Sequence, residues 1–406
     1  MTNPLANKHI VLGVTGSVAA YKAVELASKL TQSGALVDVV LTESALKFVS
    51  ALQFQSVTGR KAFTDADLWG GEAHVVHVNL GHGADLLVIA PVTASTMAKL
   101  ATGLGDNLLS VSALAAKCPL VLAPAMDLGM YSHVATQKNV ETLKERGAHF
   151  IGPVEGHLAS GLTGPGRFAE PLDILAEIRF IVSRGGPLKG KKVVVSAGGT
   201  EEAIDPVRVL TNRSSGKQGY AIAQAALDAG ADVTLVAAPT ALPDPAGARM
   251  VNVRSAEEMR EAILDATSGA DVLVMAAAVS DFRPVVRVEE KIKKGSGNLV
   301  IDLEPTKDIL LEVAASKAKT GHPHISIGFA AESENLLANA AEKMKKKSLD
   351  MIVANDISQA DSGFEVDTNQ VTLLMVDGKQ EKLPLLSKLE VADMIVSKLI
   401  NWLEEA

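Results

Sequence analysis

Short β-branched apolar runs alternate with longer stretches of helical periodicity along most of the chain. In the first part HIVLGVTG, VDVVLTES, ADLLVIAP and PLVLAPAM read as strands, each followed by a segment of helical length. The runs are apolar throughout and do not alternate, as parallel strands covered on both faces require. The pattern stops at Ser183–Lys192, where SRGGPLKGKK mixes Gly, Pro and charge with no apolar period. It then restarts with KKVVVSAGG, ADVTLVAAP, ADVLVMAAAVSDF, HISIGFAAES and DMIVANDIS. NQVTLLMVDGKQEKLPL follows as a two-strand ending around an Asp377–Gly378 turn, and SKLEVADMIVSKLINWLEE carries the apolar stripe of a closing helix. The pattern predicts two doubly wound, mostly parallel α/β domains, residues 1–184 and 185–406.

Both halves open alike, at Lys8–Ala45 and at Lys191–Ala241. Each opening runs from a strand through glycine, Gly13 and Gly16 in one and Gly198 and Gly199 in the other, towards a helix. Glycine admits close backbone approach to an anion, and a helix N-terminus favours negative charge. Neither opening holds a full GxGxxG, so the dinucleotide fingerprint is absent. The doubling points to two consecutive chemistries on nucleotide-type ligands.

Composition narrows the partners. Apolar residues are 47% and charged residues 21%, ordinary for a globular protein with full cores. Aromatics are only 3% and the net charge is −8, which argue against nucleic-acid binding. A single cysteine, Cys118, forms no internal disulfide and suits a reducing cytoplasm. No uninterrupted 18-residue apolar run and no signal-type opening are present, so the expectation is a cytoplasmic protein away from membranes.

Candidate chemistry is densest in the second half. TNRSSGKQG places hydroxyls, glycine and a cation just before a helix; a solvated helix cap is the simpler account of that turn alone. MAAAVSDFRP, KIKK, PTKDI, GFAAES and KMKKKSLDMIVANDIS follow in order, concentrating lysines near strand ends of an acidic protein, which suits a polyphosphate. These motifs, with AGGTEEAIDPVRVLTNRSSGKQG, resemble phosphopantothenate–cysteine ligases, and the chain from about Lys8 to about Leu399 is similar to the bifunctional coenzyme A biosynthesis proteins. The resemblance implies a flavodoxin-like flavoprotein followed by a Rossmann-like ligase. It implies that the carboxylate of 4'-phosphopantothenate attacks CTP, giving an acyl-cytidylate and pyrophosphate, and that cysteine then displaces CMP. By the same resemblance Lys291 stabilises charge during activation and Asn212 handles the acyl-cytidylate. Met275, Ala276, Ala277, Asp281, Phe329, Lys343 and Lys347 match positions that contact CTP, with Mg2+ expected on the triphosphate.

In the first half VTGSVAAYK, LTES and APVTASTMAKLATGLGDNLLS resemble FMN-containing cysteine decarboxylases. That likeness implies FMN at Gly16, Ser17, Ser44, Thr93 and Asn107, and an active-site histidine at His77. Capping is an equal account of Thr93 and Ser95. His74, His77 and His82, spaced by three and five without carboxylates or cysteines nearby, do not match a structural metal pattern. Two motifs depart from the decarboxylases. Their PxMNxxM is PAMDLGM here, putting Asp127 at the asparagine; their ACGDxGxGR is ASGLTGPGR, putting Ser160 at the cysteine and Leu162 at the aspartate. An ionised Asp127 repels a substrate carboxylate, and a serine forms no thiolate. Three readings stay open for this half: decarboxylation with altered residues, FMN binding with impaired catalysis, or a different substrate. The doubled βαβ layout leaves an NAD(P)-dependent oxidoreductase, against which the missing GxGxxG and the lysine-rich second half count. The resemblance itself leaves a flavin-bound scaffold, since decarboxylase-like proteins form trimeric assemblies that an altered active site would keep intact. A homo-oligomer is expected by likeness, trimeric or dodecameric in the first half and dimeric in the second.

Overall fold

The structure, a computed structural model, describes residues 3–69, 75–293, 298–332, 336–356 and 366–405. They form two compact units, Asn3–Val182 and the chain from Ser183 onward. His74, Lys294, Ser333 and the Ile357–Ser358 end of DMIVANDIS lie outside the described residues.

The first unit is built on β1 (His9–Val14), α1 (Ala20–Gln32), β2 (Leu36–Leu41), α2 (Ala51–Thr58), β3 (Ala62–Thr64), α3 (Val76–Gly83) and β4 (Leu86–Val92). It continues through α4 (Ala94–Thr102), α5 (Leu108–Ala115), β5 (Leu120–Pro124), α6 (Leu128–Ser132), α7 (Val134–Glu145) and β6 (His149–Phe150). A hairpin of β7 (Val154–His157) and β8 (Thr163–Arg167) and then α8 (Pro171–Ser183) close it. The sheet order is β3-β2-β1-β4-β5-β6, all pairs parallel. Apart from the three-residue edge strand β3, this is the flavodoxin-like order. Ile10, Leu12 and Val14 of β1 pack with α1, α2 and α8, while Val11 packs on the other side with α3, α4, α5 and α7. Covering both faces is what makes the strands apolar throughout. Each such side chain contributes about 1.5–3 kcal/mol on burial.

The second unit starts with β9 (Lys192–Ala197), the hairpin β10 (Glu201–Asp205) and β11 (Arg208–Thr211), α9 (Lys217–Asp228), β12 (Asp232–Ala237), β13 (Arg249–Asn252) and α10 (Ala256–Ala266). Next come β14 (Val272–Met275), the pair β15 (Phe282–Pro284) and β16 (Leu303–Pro305), α11 (Ile309–Thr320), β17 (Ile325–Glu332), α12 (Leu336–Lys346) and β18 (Met351–Asp356). It ends with β19 (Thr368–Asn369), β20 (Val371–Met375), β21 (Gln380–Lys382), β22 (Leu386–Ser387) and α13 (Lys388–Glu405). The sheet order is β13-β12-β9-β14-β17-β18-β20-β21, with only the last two pairings antiparallel. Taken by rank along the chain, its first six strands repeat the order of the first sheet, so the doubled sequence opening is a doubled topology. In each half the order reverses beside the opening strand, and ligands of such sheets bind beyond the carboxyl ends there.

Candidate functional site

In the first unit the loops after β1 and β2 meet. A Cβ on Gly16 would lie 2.4 Å from the Ser44 Cβ, so only glycine permits this approach. Gly13 is small for another reason: a Cβ there would strike Leu109 of α5 at 2.5 Å. Ser17 Oγ accepts from Ala19 N–H at 3.3 Å, and α1 has no side-chain cap, so its first N–H groups face the Gly16–Ser17 loop. Buried Thr15, which sequence reasoning passed over, ties this loop to the next. Its hydroxyl donates to the Pro91 carbonyl (2.8 Å) and accepts from Thr93 N–H (3.0 Å). Thr93 and Asn107 use their side-chain oxygens as helix caps, accepting from Thr96 N–H and Ser110 N–H.

A cavity of about 290 Å³ adjoins this loop, with Ser17, Lys22, Asp127, His157, Ser160 and Arg167 in its walls. Two of the three positions that depart from the decarboxylase pattern, Asp127 and Ser160, meet inside it. The Ser160 hydroxyl donates to Asp127 Oδ2 at 2.6 Å, and Gly129 N–H donates to Oδ1 at 2.9 Å. These bonds, Ser160's first, hold the exposed Asp127 carboxyl below the usual carboxylate range, so it is an anion near neutral pH. Lys22 grips both oxygens of Glu170 (2.9 and 2.8 Å), which also accepts from Arg167 at 2.6 Å. That network was not foreseen, because its members are about 150 residues apart. His77 sits on α3 and is not among the walls of this cavity; its Nδ1 is buried with no hydrogen-bond partner.

The second unit holds a cavity of about 450 Å³ beyond the carboxyl ends of β14, β17 and β18. Met275, Ala276, Ala277, Asp281, Phe329, Lys343 and Lys347, predicted from motifs spread over more than seventy residues, all line it. Lys347 pairs with Asp308 at 3.0 Å. Asn212 lies outside the lining but donates to the Ala278 and Val279 carbonyls, 3.3 Å each, and so braces the strand end that forms one wall. Lys291 is not in the lining. Its neighbour Ile292 is held outside by Asp205, which accepts from Ile292 N–H (3.1 Å), and by Arg208, which donates to the Ile292 carbonyl (3.2 Å).

The glycine pair after β9 is not the anion-facing turn expected of it. Gly198 has φ 84°, and a Cβ there would meet the Ala238 carbonyl oxygen at 2.8 Å, so this turn serves the crossing of backbones. The turn that faces the cavity is Ser214–Lys217, at the start of α9. Asn355, Asn369 and Lys388 also line the cavity, and no motif in the sequence singles them out as site residues. Among the described residues no three His, Cys, Asp or Glu side chains gather as a metal site.

Both halves have known relatives. Residues 1–183 match the flavoprotein family, and residues 188–403 match the family described as DNA/pantothenate metabolism flavoprotein, C-terminal domain. The coenzyme A biosynthesis bifunctional protein CoaBC of Bacillus subtilis (strain 168) is 43% identical over 398 residues, 97% of each chain. That of Mycobacterium tuberculosis (strain H37Rv) is 42% identical over 98% of this chain and 97% of its own. A crystal structure of the C-terminal domain of a CoaBC protein is 41% identical, covers 54% of this chain and all of its own, and has a TM-score of 0.46. The chain belongs to the bifunctional coenzyme A biosynthesis family, whose members join a decarboxylase and a ligase on one polypeptide. This membership replaces the nicotinamide-dependent and scaffold readings. Among the described residues no helix is long and apolar enough to cross a membrane.

Proposed function

We propose that residues 185–406 ligate 4'-phosphopantothenate to cysteine at the expense of CTP, and that residues 1–184 act on the product as an FMN-dependent decarboxylase. The observation that carries the ligase reading is the convergence of seven motif-predicted residues on one cavity. The carboxylate of 4'-phosphopantothenate attacks the α-phosphorus of CTP, pyrophosphate leaves, and the amine of cysteine then displaces CMP to form the amide. Positioning and charge neutralisation supply most of such catalysis. Backbone at Met275–Ala277 and the side chains of Asp281, Phe329, Lys343 and Lys347 hold the nucleotide. Asn212 orients the mixed anhydride beside the Ala278–Val279 strand end. Lys291 reaches the developing phosphate charge from the adjoining loop. Mg2+ fits this donor set as a companion of the triphosphate, held by one or two carboxylates with Asp281 among them.

In the first half the uncapped start of α1 and the Gly16–Ser17 loop beside Ser44 fit the phosphate end of FMN, and the apolar strand ends of β1 and β4 suit its ring. FMN supplies the oxidising chemistry that loosens a carboxylate next to a thiol-bearing carbon. The chain's residues bind and orient the substrate around it, with His77 as a proton-handling group. A second reading rests on the Ser160–Asp127 bond: an anion faces the departing carboxylate and a serine stands at residue 160 in place of a thiol, so this half binds FMN and turns over poorly. The same reading has the protein working in the cytoplasm as a homo-oligomer. Incubating the full chain with 4'-phosphopantothenate, CTP and cysteine, and following CMP and carbon dioxide separately, tests both halves. CMP release that depends on 4'-phosphopantothenate is expected; CTP left intact in a folded preparation contradicts the ligase assignment.

A further inference from the structure

Lys291 and Asn212, the two residues assigned to the chemistry, both stand outside the cavity lining, and both are attached to the hairpin β10–β11. Asn212 follows β11 directly and braces the Ala278–Val279 strand end. The segment bearing Lys291 is tied to the other end of the hairpin by three bonds. Val288 N–H donates to the Ile204 carbonyl (3.1 Å), Ile292 N–H donates to Asp205 Oδ2 (3.1 Å), and Arg208 donates to the Ile292 carbonyl (3.2 Å).

Asp205 is the centre of this attachment. Its side chain is fully buried, although the next three residues, Pro206 to Arg208, are exposed. Oδ1 accepts from Val207 N–H (2.9 Å), and Oδ2 accepts from Arg208 (2.8 Å) and from Ile292 N–H. Closing the turn needs only the first two donors. The third comes from 87 residues further along the chain. That N–H belongs to the planar peptide unit that begins at the Lys291 Cα, so the bond fixes where the Lys291 side chain starts. Lys291 itself is exposed, and its ammonium has no hydrogen-bond or ion-pair partner among the described residues. The backbone of this lysine is held while its charge is left uncommitted.

We propose that Asp205 is the positioning residue for Lys291: it anchors the peptide unit from which the lysine reaches the phosphate charge that develops during activation. Asn212 keeps its own bonds to the Ala278 and Val279 carbonyls, so the transfer to cysteine does not depend on Asp205. One hairpin then frames both steps, with a separate anchor for each. This assignment rests on the ligase reading.

The test uses the full chain with 4'-phosphopantothenate, CTP and cysteine. Asp205→Asn keeps the size of the side chain but turns an NH2 group towards one of the three donors, so the attachment is broken. Acyl-cytidylate formation should slow about 10- to 100-fold, the cost of a misplaced catalytic group. KM for CTP should stay within about twofold, because an interaction made only in the transition state is lost. Transfer from preformed acyl-cytidylate to cysteine should be unchanged, whereas a merely structural role would disturb Asn212 on the same hairpin and slow both steps. In a Lys291→Gln chain, Asp205→Asn should cost no more than about twofold further, while independent effects would multiply. Ile292→Pro removes the donor N–H from the loop side, should act in the same direction, and serves if Asp205→Asn does not fold. Multiplying losses, equal slowing of both steps, or an unaffected Lys291→Gln chain overturns the proposal. If the unaltered chain releases no CMP, the ligase reading fails instead. Amide hydrogen exchange at Ile292 then decides the anchor: faster exchange in Asp205→Asn supports it, and unchanged exchange overturns it.

Discussion

The two halves share the strand order of their first six strands, yet their cavities differ in how they were assembled. In the second half, residues from the ends of β14 and β17, from α12 and from the α9 turn converge on one space. In the first half the loops after β1 and β2 meet, while the neighbouring cavity is dominated by an ion network and by an acid–hydroxyl pair at two altered positions. The comparison teaches that the sheet fixes where chemistry happens, and the loops beyond its strand ends decide which chemistry it is. Three experiments bear on it.

The largest effect is expected inside the intact half. Lys291→Gln should suppress acyl-cytidylate formation, and Asn212→Asp should allow activation but hinder transfer to cysteine. Losses of about 10²–10³ in CMP release are expected for each, typical of removing one donor from a charge-stabilising site. Intermediate should accumulate only in Asn212→Asp. Equal single-turnover levels of the intermediate in the two variants would break the division of labour. Because Lys291 stands outside the cavity lining, an unaffected Lys291→Gln would remove it from the chemistry altogether.

A moderate effect is expected in the altered half. Asp127→Asn should raise carbon dioxide release from phosphopantothenoylcysteine about tenfold, by removing a like charge from the path of the substrate carboxylate. With Ser160 unchanged, oxidised enethiol should remain the main product, and only Asp127→Asn with Ser160→Cys should give much 4'-phosphopantetheine. Product analysis by mass spectrometry checks both points. An unaltered chain that matches the double variant defeats the claim that these positions limit the reaction.

The smallest effect concerns the opposite end of the first sheet. Both ring nitrogens of His9 face oxygens that can only accept, the Asp38 carboxylate and the Gly83 carbonyl, so the doubly protonated ring satisfies both. The Asp38 bond first, with the Gly83 carbonyl, raises its pKa above 6.5. A raised histidine stabilises the fold fully below its unfolded pKa, and that contribution is lost as pH rises through the folded value. The melting temperature of the first half should therefore drop about 1–2 °C between pH 6 and pH 8.5. His9→Gln should flatten the profile, and an equal slope in the variant would assign the dependence elsewhere.

Much of the architecture was legible because buried parallel strands leave continuous apolar runs; all nine strands read from the pattern, from HIVLGVTG to DMIVANDIS, have counterparts in the two sheets. The short pairs β7–β8, β10–β11 and β15–β16 were not, being three to five residues long and without apolar periodicity. Among site residues, those in strand-end motifs were visible. Asn355 falls inside a strand-end motif that gives it no particular role, since an asparagine at a strand end has many uses. Asn369 and Lys388 reach the cavity only through the return of the chain across β19–β22, and Lys388 is hidden as the first residue of an amphipathic helix. Gly198 misled because a glycine demanded by a positive φ looks, in sequence, like one demanded by a ligand.

The Ser160–Asp127 hydrogen bond also makes the two positions interdependent under substitution. Starting from the asparagine and cysteine of the related decarboxylases, placing an aspartate first sets a carboxylate against a thiol and suppresses its ionised form. Placing a serine first leaves an asparagine oxygen that accepts the new hydroxyl, so that path passes through a tolerable neighbour. Once both changes are in place, returning to cysteine alone meets the carboxylate again. The pair is therefore expected to tolerate Asp127→Asn alone better than Ser160→Cys alone.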